Sequence, residues 1–372
     1  MSIIIFLPNY IGDVLMSTPA LRFIKRRLPD ERIYAVTSKQ GAEVLSRNPA
    51  VSEIIERPAS PSVPERFNLM KRINSIKPGT AILLRTTLFN AFLAMVSGAK
   101  ARTGVDTEMA GIFLNRTIPK DARRNAREEY LMIAKLGVDE KARGGCCPSS
   151  EESAEESLRP EIFLSAEDEA FADSLLKKHS IGSDDRVVII NPGTTRPAKQ
   201  WAPGRYAEII NALTGKNYYV LITGAETDRQ LVRGIVGACS GGTSRVIRLA
   251  GETSIKQAAA LLKRASFFIS PDTAILHLGQ AVGTKGIALF GSTDPGKYGP
   301  FDKKNIRIIY KKLDCSPCYK KFCPKAAGAA AALTHGAIFD KGLCEWTYEV
   351  APCMDGITAE DVLKKIETFV AG

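Results

Sequence analysis

The chain is 372 residues long, 45% of them apolar and 24% charged, with a formal charge of +11. That length suits two domains, each with its own core, and no run of about 18 apolar residues exists that would cross a bilayer. The positive balance favours anionic partners without choosing between nucleic acid, anionic lipid and phosphorylated small molecules.

Ile3 to Leu7 reads as a buried first strand, because it lacks a basic leader and gives way at once to Pro8-Asn9-Tyr10. A cytoplasmic location is the expectation. Asp13 to Leu28 follows as a helix with Leu15, Leu21, Ile24 and Leu28 on roughly one face, kinked or restarted at Pro19. Strands are expected at Arg32 to Val36, Glu53 to Ile55 and Ala81 to Leu84. From Asp139 to Pro160 apolar periodicity is lost, which marks a linker or long surface loop and divides the chain into domains 1–160 and 161–372.

Beyond the linker, strands and helices alternate strictly: Val187 to Ile190, Tyr218 to Ile222, Arg245 to Leu249, Phe267 to Ile269 and Ile287 to Phe290 are strands, with amphipathic helices between them. Such alternation implies βαβ units and a parallel sheet covered on both faces, with ligands at the carboxyl ends of its strands. A last strand, Asn305 to Tyr310, precedes a cysteine-rich segment at 315–353, and Thr358 caps a closing helix, Ala359 to Phe369.

The strand ends carry the chemistry. The apolar run Phe267 to Ile269 is cut by Asp272 and Thr273 just before the helix beginning at Ala274, where free N–H groups and the positive helix end suit an anion; an ordinary capped turn fits as well. Thr194 and Thr195 after Asn191-Pro192-Gly193 suit phosphate oxygens or a tight turn, and Lys199 suits a diphosphate or plain solvent. Glu226 suits ribose hydroxyls or the first turn of its helix, Leu249 and Gly251 suit a flat ring, and His277 lies one turn after Thr273, where packing is the commoner role. In the first half Asp13 suits either general-base work or an N-cap. No Asp-x-Asp pair occurs, so cationic side chains and helix ends would have to stabilise a leaving diphosphate without a metal cofactor in catalysis.

Cys315-Ser316-Pro317-Cys318, Cys323 and Cys353 form a four-sulfur set for structural zinc or iron, with Cys344 competing for the fourth place and free thiols or a redox pair as the other reading.

Three blocks, Asn9 to Arg22, Asn191 to Trp201 and Asp272 to Pro295, together resemble glycosyltransferase family 9, the ADP-heptose:lipopolysaccharide heptosyltransferases. The resemblance implies an α/β GT-B fold, two Rossmann-like domains facing a central cleft, with acceptor on the N-terminal one and ADP-heptose on the C-terminal one. It also implies a final helix returning to the N-terminal domain. Asp13 would match the family's base, Lys199 its diphosphate-facing lysine, and Asp272, Thr273 and Ala274 its donor phosphate loop, in an inverting transfer to the lipopolysaccharide inner core. Arg22, Arg85 and Arg102 are the candidates for contacts with an anionic acceptor, reached at the cytoplasmic face of the inner membrane. Nucleic acid is not an expected partner. Transfer to another glycan or a protein hydroxyl, and a basic metal-binding nucleic-acid module, are the competing readings.

Overall fold

The computed structural model describes residues 2–58, 61–107, 109–138, 158–326 and 350–370. Among them, the chain forms two compact α/β units, Met1–Phe163 and Leu164–Gly372. The expected linker falls mostly outside the described residues, as do Cys146, Cys147 and Cys344.

The first unit holds strands β1 (Ser2–Phe6), β2 (Arg32–Thr37), β3 (Glu53–Glu56), β4 (Thr80–Leu83), β5 (Ala101–Val105) and β6 (Arg116–Ile118) in the order β3-β2-β1-β4-β5-β6. All pairings are parallel, with Ile4 opposite Tyr34 on one side and Ala81 on the other. Ile3 to Phe6 are buried completely, as a central strand covered on both faces requires. One face, through Ile4, Phe6, Val36 and Leu83, packs on Leu69 and Ile73 of the helix Val63–Ile76. Strands β5 and β6 escape sequence reading because Ala101-Arg102-Thr103-Gly104-Val105 shows no apolar alternation. Gly104 is needed there: a Cβ would come within 2.6 Å of Thr86 Oγ1, which accepts a hydrogen bond from Val105 N–H.

The helix Ile11–Arg27 runs through Pro19 as one element, so the expected restart does not occur. Pro19 has no N–H to offer the carbonyl of Leu15, and the Thr18 hydroxyl donates to that carbonyl instead, at 2.7 Å. The same hydroxyl accepts from Glu161 N–H at 2.8 Å, tying the segment after the linker to this helix. Replacing Thr18 with valine is expected to cost about 1–3 kcal/mol, because two buried polar groups lose their partner; a thermal melt checks it, and an unchanged Tm would contradict this account of the helix.

The second unit repeats the plan with β7 (Arg186–Ile190), β8 (Tyr218–Ile222), β9 (Val246–Arg248), β10 (Phe267–Pro271), β11 (Gly286–Phe290) and β12 (Ile306–Tyr310), ordered β12-β11-β10-β7-β8-β9 and parallel throughout. Read from its other edge, this is the strand order of the first sheet. Its core joins Val188, Ile190, Val220 and Ile222 to Trp201, Tyr206 and Ile209. The closing helix, Ala359–Val370, adds Val362 and Ile366 to this same core, and Trp201 Nε1 donates to the carbonyl of Ile357 just before it, at 2.9 Å. Its principal neighbours are the helix Pro203–Gly215 and strands β11 and β12. The helix therefore packs on the second unit. The apolar spacing of Val362 and Ile366 was legible; which sheet they would cover was not.

Candidate active site

Each sheet reverses its strand order beside a central strand, between β1 and β4 in one unit and between β7 and β10 in the other. Crevices for ligands open at the carboxyl ends of such switch points. The sequence-predicted residues gather at both.

At the first switch point, β1 leads through Leu7 to Tyr10 into the helix Ile11–Arg27. Asp13 is the third residue of that helix, and Tyr10 holds the N-cap position without a side-chain bond, so Asp13 is not the cap. Its carboxylate stands half-buried in the first turn, where the helix dipole favours negative charge. Across the sheet edge, Arg57 follows β3. Its Nη1 donates to Asn90 Oδ1 at 2.7 Å and its Nη2 to Asn9 Oδ1, while the Asn90 amide donates to the carbonyl of Arg85 at 2.9 Å. Burial, with the charge of Arg85 adding to it, lowers the pKa of Arg57.

The three arginines expected to meet an anionic acceptor separate here. Arg22 is ion-paired with Glu161 at 2.5 Å, and Arg102 donates to the carbonyls of Phe113 and Ala99, so both brace their own unit. Arg85 and Arg57 stand near enough to one another for the charge of Arg85 to act on Arg57. Arg57 was missed because Glu56-Arg57-Pro58 reads as an ordinary polar strand end; its partner Asn9, in the first family-like block, was the available signal.

At the second switch point, Asp272 is 6% exposed and its carboxylate is fully engaged. Lys199 Nζ reaches Oδ2 at 2.6 Å and the Asp272 carbonyl at 2.9 Å, Thr293 Oγ1 donates to Oδ2 at 2.8 Å, and His277 Nε2 lies 3.7 Å from Oδ1. Burial works against the charged form, and contacts with His277 and Lys199 outweigh it, holding this carboxyl below the usual carboxylate range. Thr273 occupies the N-cap of the helix Ala274–Val282 but does not cap it; its hydroxyl meets Ser270 Oγ at 2.9 Å and Asn191 Oδ1 at 3.3 Å. The first N–H groups of the helix, from Ala274 onward, are thus left without that cap. His277 is 3% exposed, and its Nδ1 has no hydrogen-bond partner.

The remaining donor-side candidates line the same sheet edge. Thr194 Oγ1 accepts from Arg196 N–H at 3.1 Å, and Thr195 is exposed. Glu226 is exposed, pairs with Arg229 at 2.9 Å, and lies over Gly251, whose φ of +73° and close approach to that carboxylate leave no room for a side chain. Leu249 is buried in its own unit, leaving Gly251 as the accessible member of the pair. Asp228 is a residue the sequence did not single out. It packs against Gly193 so closely that a Cβ there would collide with its carboxylate, and burial raises its pKa. Gly193 is therefore a packing requirement.

Of the four expected sulfur ligands, Cys353 is buried and Cys315, Cys318 and Cys323 are half-buried, all as free thiols. Burial pushes the Cys353 thiol up, and Cys323 and Cys318 are near enough to add to the effect. Among the described residues, no group of three His, Cys, Asp or Glu side chains stands in metal-ligating geometry.

A pair of like-ordered parallel Rossmann sheets in two units, each with its switch point, is the architecture of the GT-B class of sugar-nucleotide enzymes. The model of glycosyltransferase family 9 (heptosyltransferase) matches residues 66–327, and the chain belongs to that family. Lipopolysaccharide heptosyltransferase 2 of Escherichia coli K12 is 26% identical over 318 residues, covering 83% of this chain and 88% of that protein. In structure, a family 9 glycosyltransferase from Veillonella parvula superposes with a TM-score of 0.77 at 20% identity, over 100% of this chain and 97% of that one. The E. coli ADP-heptose lipopolysaccharide heptosyltransferase II does so with a TM-score of 0.75 at 22% identity, over 100% and 99%. No helix among the described residues is long and apolar enough to cross a membrane.

Proposed function

We propose that the chain transfers heptose from ADP-heptose to a hydroxyl of the lipopolysaccharide inner core by a single inverting displacement. The observation that carries this reading is the placement of Lys199 on Asp272, beside the uncapped start of the helix Ala274–Val282. A cation held by a carboxylate at a helix N-terminus is already aligned when a diphosphate arrives, and the two together offset the charge that develops on leaving ADP. Asp272 serves by holding Lys199, His277 and Thr293; its own charge would repel a diphosphate.

In the reaction, Asp13 takes the proton of the acceptor hydroxyl as that oxygen attacks the anomeric carbon. The bond from that carbon to the diphosphate oxygen breaks, and ADP leaves with the electron pair toward Lys199. Arg57 and Arg85 receive an anionic group of the acceptor, and Glu226 the ribose hydroxyls. The relative named lipopolysaccharide heptosyltransferase 2 supports this choice of substrates, and the basic charge suits an acceptor reached at the anionic face of the inner membrane. Without an Asp-x-Asp pair the chemistry calls for no divalent ion, and metal analysis of the purified protein decides whether Cys315, Cys318, Cys323 and Cys353, which do not stand in ligating geometry here, gather on a structural zinc or iron. Inversion is checked by NMR of the product's anomeric centre: a configuration opposite to the donor's is expected, and a retained one would refute the single displacement.

A further inference from the structure

The loop Cys315–Phe322 touches both halves of the donor-side network, although it lies more than a hundred residues from one of them. Cys318 N–H and Tyr319 N–H both donate to the carbonyl of Ser292, at 3.1 and 2.9 Å, and the next residue is Thr293, which bonds Asp272. On the other side, the carbonyl of Lys321 accepts from Ala198 N–H at 3.1 Å, and the carbonyl of Tyr319 accepts from Arg196 Nη1 at 3.2 Å. Arg196 immediately precedes, and Ala198 lies within, the short turn Pro197–Lys199 that presents Lys199.

Two further features show that the loop is held in place. Tyr319 has a φ of +54°, in the left-handed region that a side chain disfavours, so its surroundings impose this backbone conformation. Its ring meets Tyr298 edge-on at 6.2 Å. Beneath the loop, a Cβ on Gly291 would come within 2.9 Å of Cys353 Sγ and 2.6 Å of Met354 Sδ. The strand end that carries Ser292 is therefore packed hard against Cys353.

We propose that the Cys315–Phe322 loop is a positioning clamp for the donor site, holding the Pro197–Lys199 turn and the Ser292-Thr293 turn together so that Lys199 and Thr293 meet on the Asp272 carboxylate. Arg196 links the loop to the Pro197–Lys199 turn through its side chain, and it acts as a positioning residue. The inference rests on the donor-site reading given above only for the ligand used in its first readout.

Arg196→Ala is the test, with Arg196→Lys beside it, read by ADP titration and by amide hydrogen exchange of the unliganded full chain. The expected result is roughly tenfold weaker ADP binding, a raised donor KM with kcat little changed, and faster exchange at Ala198 and Tyr319. Arg196→Lys, which keeps the charge without the guanidinium fork, should fall between wild type and Arg196→Ala in both readouts. Exchange at Ala198 and Tyr319 unchanged in Arg196→Ala overturns the clamp, whatever happens to ADP. Failure of the donor-site reading looks different: wild-type protein would bind no ADP, while the exchange measurement still decides the clamp.

Discussion

Asp13→Ala is expected to lower kcat by about 100- to 10,000-fold, the range supplied by a positioned general base, while ADP binds as it does to wild type. The separation follows from where the residue stands. Asp13 is in the first turn of the helix leaving β1, whereas every residue assigned to the diphosphate belongs to the other unit. Its loss leaves an acceptor hydroxyl that must surrender its proton to water. Because Tyr10, and not Asp13, holds the N-cap position, the substitution removes no cap, and a thermal melt beside wild type reads what the other contacts of Asp13 contribute to folding. Single-turnover kinetics beside ADP titration checks both halves. Wild-type turnover in Asp13→Ala would remove it from the mechanism, and lost ADP binding would mean that its effect is structural.

Lys199→Ala should act on stability and donor binding together. Lys199 and Asp272 form a pair whose side chains are 15% and 6% exposed, so removing the cation leaves a carboxylate stranded in the interior. Breaking such a pair costs roughly 3 kcal/mol, eased here by the bonds from Thr293 and His277. ADP affinity should fall by about a hundredfold, as expected for losing a charge-assisted contact of roughly 3 kcal/mol. The pH dependence has a definite sign. Asp272 has a depressed folded pKa, so its contribution to stability is present above the unfolded carboxylate value of about 3.9 and is lost as pH falls through its lower folded value. Wild-type donor affinity should therefore show no titration from Asp272 between about pH 5 and 8. A melt and an ADP titration of Lys199→Ala across that window test the account; unchanged affinity would mean that Lys199 never leaves Asp272 for a ligand.

Much of this arrangement could be read from the chain because the buried parallel strands announce themselves. Ile3 to Phe6 and Val187 to Ile190 are β-branched or aromatic throughout and end in polar turns, which locates the strand ends and hence Asp13, Asn191 and Asp272. Strands β5 and β6 stayed hidden because Thr103 and Gly104 are chosen for contacts with neighbours and carry no apolar period. Site residues were legible where the local pattern carried them, as in the Asp272-Thr273 turn. Partnerships across long separations were not: Lys199 meets Asp272 from 73 residues away, and Arg57 meets Asn9 from 48. Arg22 and Arg102, whose charge and position suit an anion, also have partners that no local pattern announces, Glu161 and two backbone carbonyls brought to them by tertiary packing.

The central claim is acceptor-dependent heptosyl transfer through Asp13, and the most direct measurement is ADP release from ADP-heptose by the purified chain, with and without inner-core acceptors. The account predicts ADP release that requires a core acceptor and disappears in Asp13→Ala. ADP-heptose left intact in the presence of every core acceptor, or release at the wild-type rate from Asp13→Ala, would contradict it.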